Sequence, residues 1–182
     1  DPPAVILEDD LEVAPWALHW IADAALRYAQ QPDVVGFSLQ RQTRCFHKDC
    51  ASPHLALPWT IREFKYLLVG TWGYAPVARH WRAFLKWKSS RPPAYVPQVA
   101  DLTPSEWFRD FKKAGRENSM WSMWFIYYCN ANQLHTVYYN YPLPMTLAAH
   151  WAEKGEHFDG RSAGRDFPLV PHQVVPIEQA AA

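Results

Sequence analysis

Two hydrophobic periods run along the chain, and they set out most of the expected elements. Ala4-Val5-Ile6-Leu7 is an unbroken apolar run with two β-branched residues, which predicts a strand buried on both faces in the middle of a parallel sheet. Polarity reverses abruptly at Glu8-Asp9-Asp10. From Pro15 onward, Trp16, Trp20, Ile21, Ala24, Ala25 and Tyr28 recur at three- and four-residue spacing, an amphipathic helix that ends near Gln31-Pro32. Residues 34–39 predict the next strand, and a strand–helix–strand order implies a right-handed crossover between parallel strands.

The pattern then dissolves over residues 40–60 into a long polar loop, with Ile61-Arg62-Glu63-Phe64 as the one ordered hint after it. Residues 66–74 form a short apolar run in which Gly70 and Gly73 bracket Trp72. It reads either as a strand ending in a turn or as backbone made for close approach to a ligand, with the indole as a flat wall. Pro76 opens a helix with Val77, Trp81, Phe84 and Leu85 on one face and Arg79, Arg82, Lys86 and Lys88 on the other. Residues 91–97, rich in proline, make a stiff connector. Thr103-Pro104-Ser105-Glu106 predicts a helix start with Thr103 as its cap and Glu106 closing a capping box, and Gly115 marks the stop. An aromatic helix over about 119–130 and a strand over 134–139 follow. Beyond Pro142 the chain reads as mostly irregular.

Composition narrows the classes. With 182 residues and 49% hydrophobic content, the chain is long enough for one domain with a substantial core. A formal net charge of zero gives no electrostatic footprint of a nucleic-acid binder. Ten Trp, nine Tyr and nine Phe suit a large core and equally the stacking walls of a sugar cleft. No apolar run reaches membrane-spanning length, and the first residues do not resemble a signal peptide. A buried-strand pattern standing so near the first residue suggests a fragment of a larger domain. Of the three cysteines, Cys45 and Cys50 are spaced for a local bridge in an oxidising compartment, while with His47 and His54 they make only a weak zinc signal. No phosphate-cradling Gly-Lys-Thr loop, Gly-x-Ser-x-Gly elbow or His-Glu-x-x-His pair occurs, which argues against the commonest nucleotidases, serine hydrolases and zinc peptidases.

Three adjacent carboxylates at a strand end repel one another and resist burial. They are either a solvated loop or a site where a hard divalent cation with oxygen ligands compensates them. In open α/β sheets that is also where ligands bind.

The segment Val5-Ile6-Leu7-Glu8-Asp9-Asp10-Leu11-Glu12-Val13 resembles the Asp-x-Asp-type segment of nucleotide-sugar glycosyltransferases with the GT-A fold. N-acetylglucosaminyltransferase I and its relatives carry there an apolar strand followed by Glu-Asp-Asp. The chain is also similar, in order, to a group of eukaryotic family-two-like glycosyltransferases. The matching segments are Thr71-Trp72-Gly73-Tyr74, the helix around His80 to Phe84, the Trp-rich helix, Tyr139-Asn140-Tyr141-Pro142, and His150-x-x-Glu153-x-Gly155-x-His157. The resemblance spans about residues 4–167.

It implies an α/β fold: a partial GT-A mixed sheet flanked by helices, with an irregular C-terminal segment. Residues 1–182 would be a single domain, the acceptor- and metal-binding half without its nucleotide-binding half. It further implies that Asp10 ligates Mn²⁺ or Mg²⁺ on the diphosphate of a nucleotide-sugar donor, and that Glu8 and Asp9 hold metal-bound water, ribose or sugar. Trp72 and Gly73 would line the donor or acceptor pocket, and His157 would be a metal ligand or phosphate contact on a closing loop.

The Asp-Asp-Trp that carries the base in N-acetylglucosaminyltransferase I is missing, and Glu117 and Asp110 are the nearest substitutes. The implied activity is metal-dependent transfer of a hexosyl or N-acetylhexosaminyl group to a hydroxyl of a glycan or protein acceptor, in the Golgi lumen. As a fragment, the chain is expected to be inactive alone. Two alternatives stand beside it: a non-catalytic scaffold of the same architecture, and a metal-dependent phosphohydrolase working through Asp9 and Asp10.

Overall fold

The computed structural model describes residues 4–45, 52, 54–58, 60–141, 144–151 and 164–171. In chain order the elements are β1 (Leu11–Val13), α1 (Ala17–Tyr28), β2 (Val34–Ser38), β3 (Glu63–Tyr66), β4 (Tyr74–Pro76), α2 (Ala78–Ser89), α3 (Thr103–Lys113), a 3₁₀ turn (Glu117–Ser119), α4 (Trp121–Ala131), β5 (His135–Tyr139) and β6 (Ala148–His150). Four strands form a mixed sheet in the order β3-β5-β2-β4. In it β2 and β5 run parallel, and the two outer strands run antiparallel to their neighbours. β1 and β6 make a separate antiparallel ribbon. The fold is α/β.

Period two and period 3.6 meet at this sheet. All five residues of β2 are buried; neighbouring side chains go to opposite faces, and a register shift between Val34 and Gly36 breaks the alternation once. Val34, Phe37 and Val137 face α1, whose Ala17, Trp20, Ile21 and Ala24 supply the buried stripe. Val35, Tyr74 and Tyr138 face the other helices, which contribute Phe84, Phe108, Phe111, Met123 and Phe125. Much of the aromatic load therefore goes into the core. Phe125 lies at its centre, 4.9 Å from Phe84, 5.1 Å from Trp81 and 5.4 Å from Tyr74 between ring centroids. Burying such a ring contributes about 1.5–3 kcal/mol.

Several expectations change. Residues 4–7 do not lie in the middle of a parallel sheet. Ile6 makes one antiparallel bridge, exchanging backbone bonds of 2.8 and 3.0 Å with Tyr74. Tyr74 is also paired with Ser38 of β2, so the segment runs parallel to β2 with β4 between them. Leu7 is 52% exposed. A short apolar run states that a strand is wanted and not how many neighbours it has.

Pro76 closes a strand before α2 begins, because Val77 N–H still bonds back to Val35 at 2.8 Å. Thr103 is already helical and makes no capping bond. Its neighbour Ser105, buried, donates to Val99 O at 2.8 Å and accepts from Val99 N at 3.0 Å, tying the connector to α3. The irregular region after Pro142 contains β6. Cys45 is disulfide-bonded and Cys129 is a buried free thiol. The Cys45 sulfur is thus no zinc ligand, while His47 and Cys50 lie outside the described residues. Among the described residues, no helix is long and apolar enough to cross a membrane.

Candidate functional site

The β1–β6 ribbon brings together residues 140 positions apart. Leu11 pairs with His150, and Trp151 N–H donates to Asp10 O at 2.9 Å, so Asp10 and His150 lie side by side. His150 Nε2 is 3.1 Å from Asp10 Oδ2. Both side chains remain partly open to solvent, 27% for His150 and 35% for Asp10. The other carboxylate oxygen, Asp10 Oδ1, is buried and has no hydrogen-bond partner. An unpartnered anionic oxygen in such a place is costly, by about 1–3 kcal/mol, unless a ligand meets it.

The surroundings hold this pair in place. The His150 ring stacks on Trp72, with centroids 4.9 Å apart and planes 15° apart. Its backbone N–H donates to Asp166 Oδ1 at 3.0 Å, and Asp166 N–H donates to His150 O at 3.1 Å. On the same ribbon, Glu12 accepts from Trp151 Nε1 at 2.9 Å and from Arg165 at 3.4 Å.

Trp72 owes its position to Gly73, which is buried with φ of 63°. That left-handed turn suits glycine, and a Cβ there would lie 2.8 Å from Leu39 Cδ1. The structure gives Gly73 a conformational role; the space beside its Cα is filled by Leu39.

Glu8 and Asp9 complete the cluster. Asp9 is exposed and Glu8 half-buried. Burial raises the Glu8 pKa above the ordinary carboxylate range, Asp10 raises it further, His150 opposes the rise and Asp9 adds to it. The fold therefore prefers Glu8 protonated, and its ionised form costs stability at neutral pH. That cost disappears as pH falls through the raised pKa. Glu8→Gln is expected to raise the Tm of the metal-free protein at pH 7, with the gain shrinking to nothing towards about pH 4. Calorimetry across that range checks it, and a lower Tm at pH 7 would contradict the burial argument.

The remaining predicted residues scatter. Asp110 sits on the outer face of α3, 69% exposed and paired with Lys113 at 2.9 Å. That ion pair holds its carboxyl below the ordinary range, the environment of a surface charge. Glu117 lies in the 3₁₀ turn ahead of α4, with Oε2 buried and unpartnered. No hydrogen bond or ion pair joins it to the acidic cluster among the described residues. His157 lies outside the described residues. The histidine beside Asp10 is His150, which the sequence gives only as part of the closing segment.

Asp10, His150 and Glu8 offer oxygen and imidazole donors of the kind Mn²⁺ and Mg²⁺ accept. Among the described residues no group of three or more His, Cys, Asp or Glu converges to hold an ion. Asp10 Oδ1 is the donor left free to meet such an ion, with His150 Nε2 turned to Oδ2 of the same carboxylate, and water and ligand oxygens would complete the shell.

Comparison with protein-family models, with curated proteins and with solved structures gives no match for this chain.

Proposed function

We propose that this chain is the metal- and acceptor-binding half of a GT-A-type glycosyltransferase domain, moving a sugar from a nucleotide-sugar donor to a hydroxyl of a glycan or protein. The observation that carries the reading is Asp10: an anionic side chain with one buried, unpartnered oxygen and the other against His150, at the point where an apolar strand gives way to three acids. A solvated loop would leave those oxygens to water. Mn²⁺ or Mg²⁺ fits the donors present, and when bound it supplies Lewis-acid stabilisation of the charge that gathers on the departing diphosphate.

In the transfer, the acceptor oxygen forms its bond to the anomeric carbon while the bond from that carbon to the diphosphate oxygen breaks. The acceptor proton passes to a carboxylate. Asp10, with His150 beside it, would hold such an ion, and Glu8 and Asp9 would border the sugar and ribose. Glu117, at the head of α4 with a buried unpartnered oxygen, is the better of the two candidate bases. The disulfide at Cys45 favours an oxidising compartment, in keeping with the Golgi lumen.

The deciding measurement is calorimetric titration of UDP or GDP in the presence of Mn²⁺, in the parent protein and in its Asp10→Ala variant. Binding that ignores Mn²⁺, or ignores Asp10, would end this reading. A second reading, a binding domain without turnover, is favoured by the exposed pairing of Asp110 with Lys113 and by the lack, among the described residues, of any bond from Glu117 to the acidic cluster. A hydrolysis screen with sugar nucleotides separates the two. Asp110→Ala is expected to change neither Tm nor sugar-nucleotide turnover measurably, since an exposed i,i+3 pair contributes little. A clear loss of turnover would identify Asp110 as the base.

A further inference from the structure

An imidazole on a three-residue strand should sample several rotamers, because two freely rotating bonds join it to the backbone. His150 has that freedom removed on each side. Its backbone is clamped by pairing with Leu11 and by two hydrogen bonds with Asp166. Its Nε2 meets Asp10. Its flat face lies on Trp72, nearly parallel at 15°. The Trp72 indole is itself delivered by the buried left-handed turn at Gly73, whose carbonyl accepts from Leu39 N–H at 3.0 Å. The indole is therefore placed by the rigid sheet, and the imidazole by the indole.

We infer that Trp72 is a positioning residue: by stacking on His150 it fixes the imidazole plane, so that Nε2 is presented to the Asp10 carboxylate. The inference rests on the transferase reading for its consequence and on the stack for its geometry. It differs from the expected role of Trp72 as a wall for a sugar ring, because one face of the indole is already covered by His150. Aromatic pairs of this kind stabilise beyond their buried area, enough to favour one rotamer several-fold. Residues that orient a metal ligand typically change metal affinity 10–100-fold when replaced.

The test uses the whole chain and three variants, Trp72→Leu, Trp72→Phe and, as a tryptophan-loss control elsewhere, Trp107→Leu on α3. Two readouts are needed. The first is the NMR signature of the His150 ring, assigned by comparison with His150→Asn. In the unsubstituted protein its carbon-bound protons are expected to be shifted upfield by the indole. In Trp72→Leu they should lose that shift and broaden through rotamer exchange, and in Trp72→Phe they should be partly restored.

The second readout is Mn²⁺ affinity by electron paramagnetic resonance, with and without UDP. It is expected to fall about 10-fold in Trp72→Leu, to be partly recovered in Trp72→Phe, and to hold in Trp107→Leu. An unchanged His150 signature in a folded Trp72→Leu overturns the inference whatever the metal does. So does weakened binding of a sugar nucleotide with unchanged Mn²⁺ affinity, which would return Trp72 to the sugar. No Mn²⁺ binding by the unsubstituted protein would instead sink the transferase reading, while the NMR signature would still decide the stack.

Discussion

Asp10→Asn is expected to weaken Mn²⁺-dependent nucleotide binding by about 100-fold or more, with no loss of thermal stability. The two halves of that result come from the same geometry. Asparagine keeps the size and shape of the side chain and can still bond His150, but it removes the anionic charge that a divalent ion needs. In the metal-free protein that charge is a burden: Oδ1 is buried without a partner, and the carboxylate acts unfavourably on Glu8. Neutralising it lowers the cost of burying that oxygen and removes the repulsion of Glu8, so Tm should hold or rise. A structural role for Asp10 predicts the reverse, a lower Tm with binding altered only in proportion to unfolding. Asp9, exposed and without such an oxygen, should cost far less when changed to asparagine. Calorimetric titration and a thermal melt on the same samples distinguish these outcomes.

What could be read from the chain follows the range over which each signal acts. Helices α1 and α2 were legible because their apolar residues repeat within a single element, and β5 because β-branched and aromatic residues are dense there. The ribbon that builds the site was not. Leu11–Val13 and Ala148–His150 are each three residues long, too short for two-residue alternation to rise above chance, and their pairing links positions far apart.

The acidic cluster itself was plain, since three charges in a row need no partner to be noticed. Its histidine was not, because nothing local distinguishes His150 from other histidines until Asp10 is set 3.1 Å away. Likewise, the Gly-Trp turn announced a special backbone but gave no hint that the indole would be stacked on an imidazole. Residues 4–7 were recognisable as an apolar segment, while the single bridge that sets Ile6 at the sheet edge depends on Tyr74 of β4.

The sheet carries its own strong prediction at Gly36, in the middle of β2. Gly36→Ala is expected to cost about 3 kcal/mol, towards the upper end for overpacking, and so to lower Tm by roughly 6–12 °C in a domain of this size. A Cβ on Gly36 would lie 2.3 Å from Tyr74 Oη, 2.5 Å from Tyr74 Cζ and 2.8 Å from Ala75 O. None of these can yield cheaply. Tyr74 is fully buried with its ring set edge-on to Phe125, and Ala75 O belongs to the backbone of the neighbouring strand.

Displacing β4 would also disturb the turn at Gly73 and, through Trp72, the stack on His150, so nucleotide binding should weaken along with stability. Tyr74→Phe offers a check, because its buried hydroxyl has at most a weak contact with the Thr136 side chain and its removal alone should cost no more than about 1 kcal/mol. Combined with Gly36→Ala, it removes the closest of the three clashes. The double variant should therefore recover about 1 kcal/mol relative to the sum of the single changes, a coupling that denaturant melts can resolve. Strict additivity would mean that the alanine methyl is opposed by the Tyr74 ring and the β4 backbone and not by the hydroxyl.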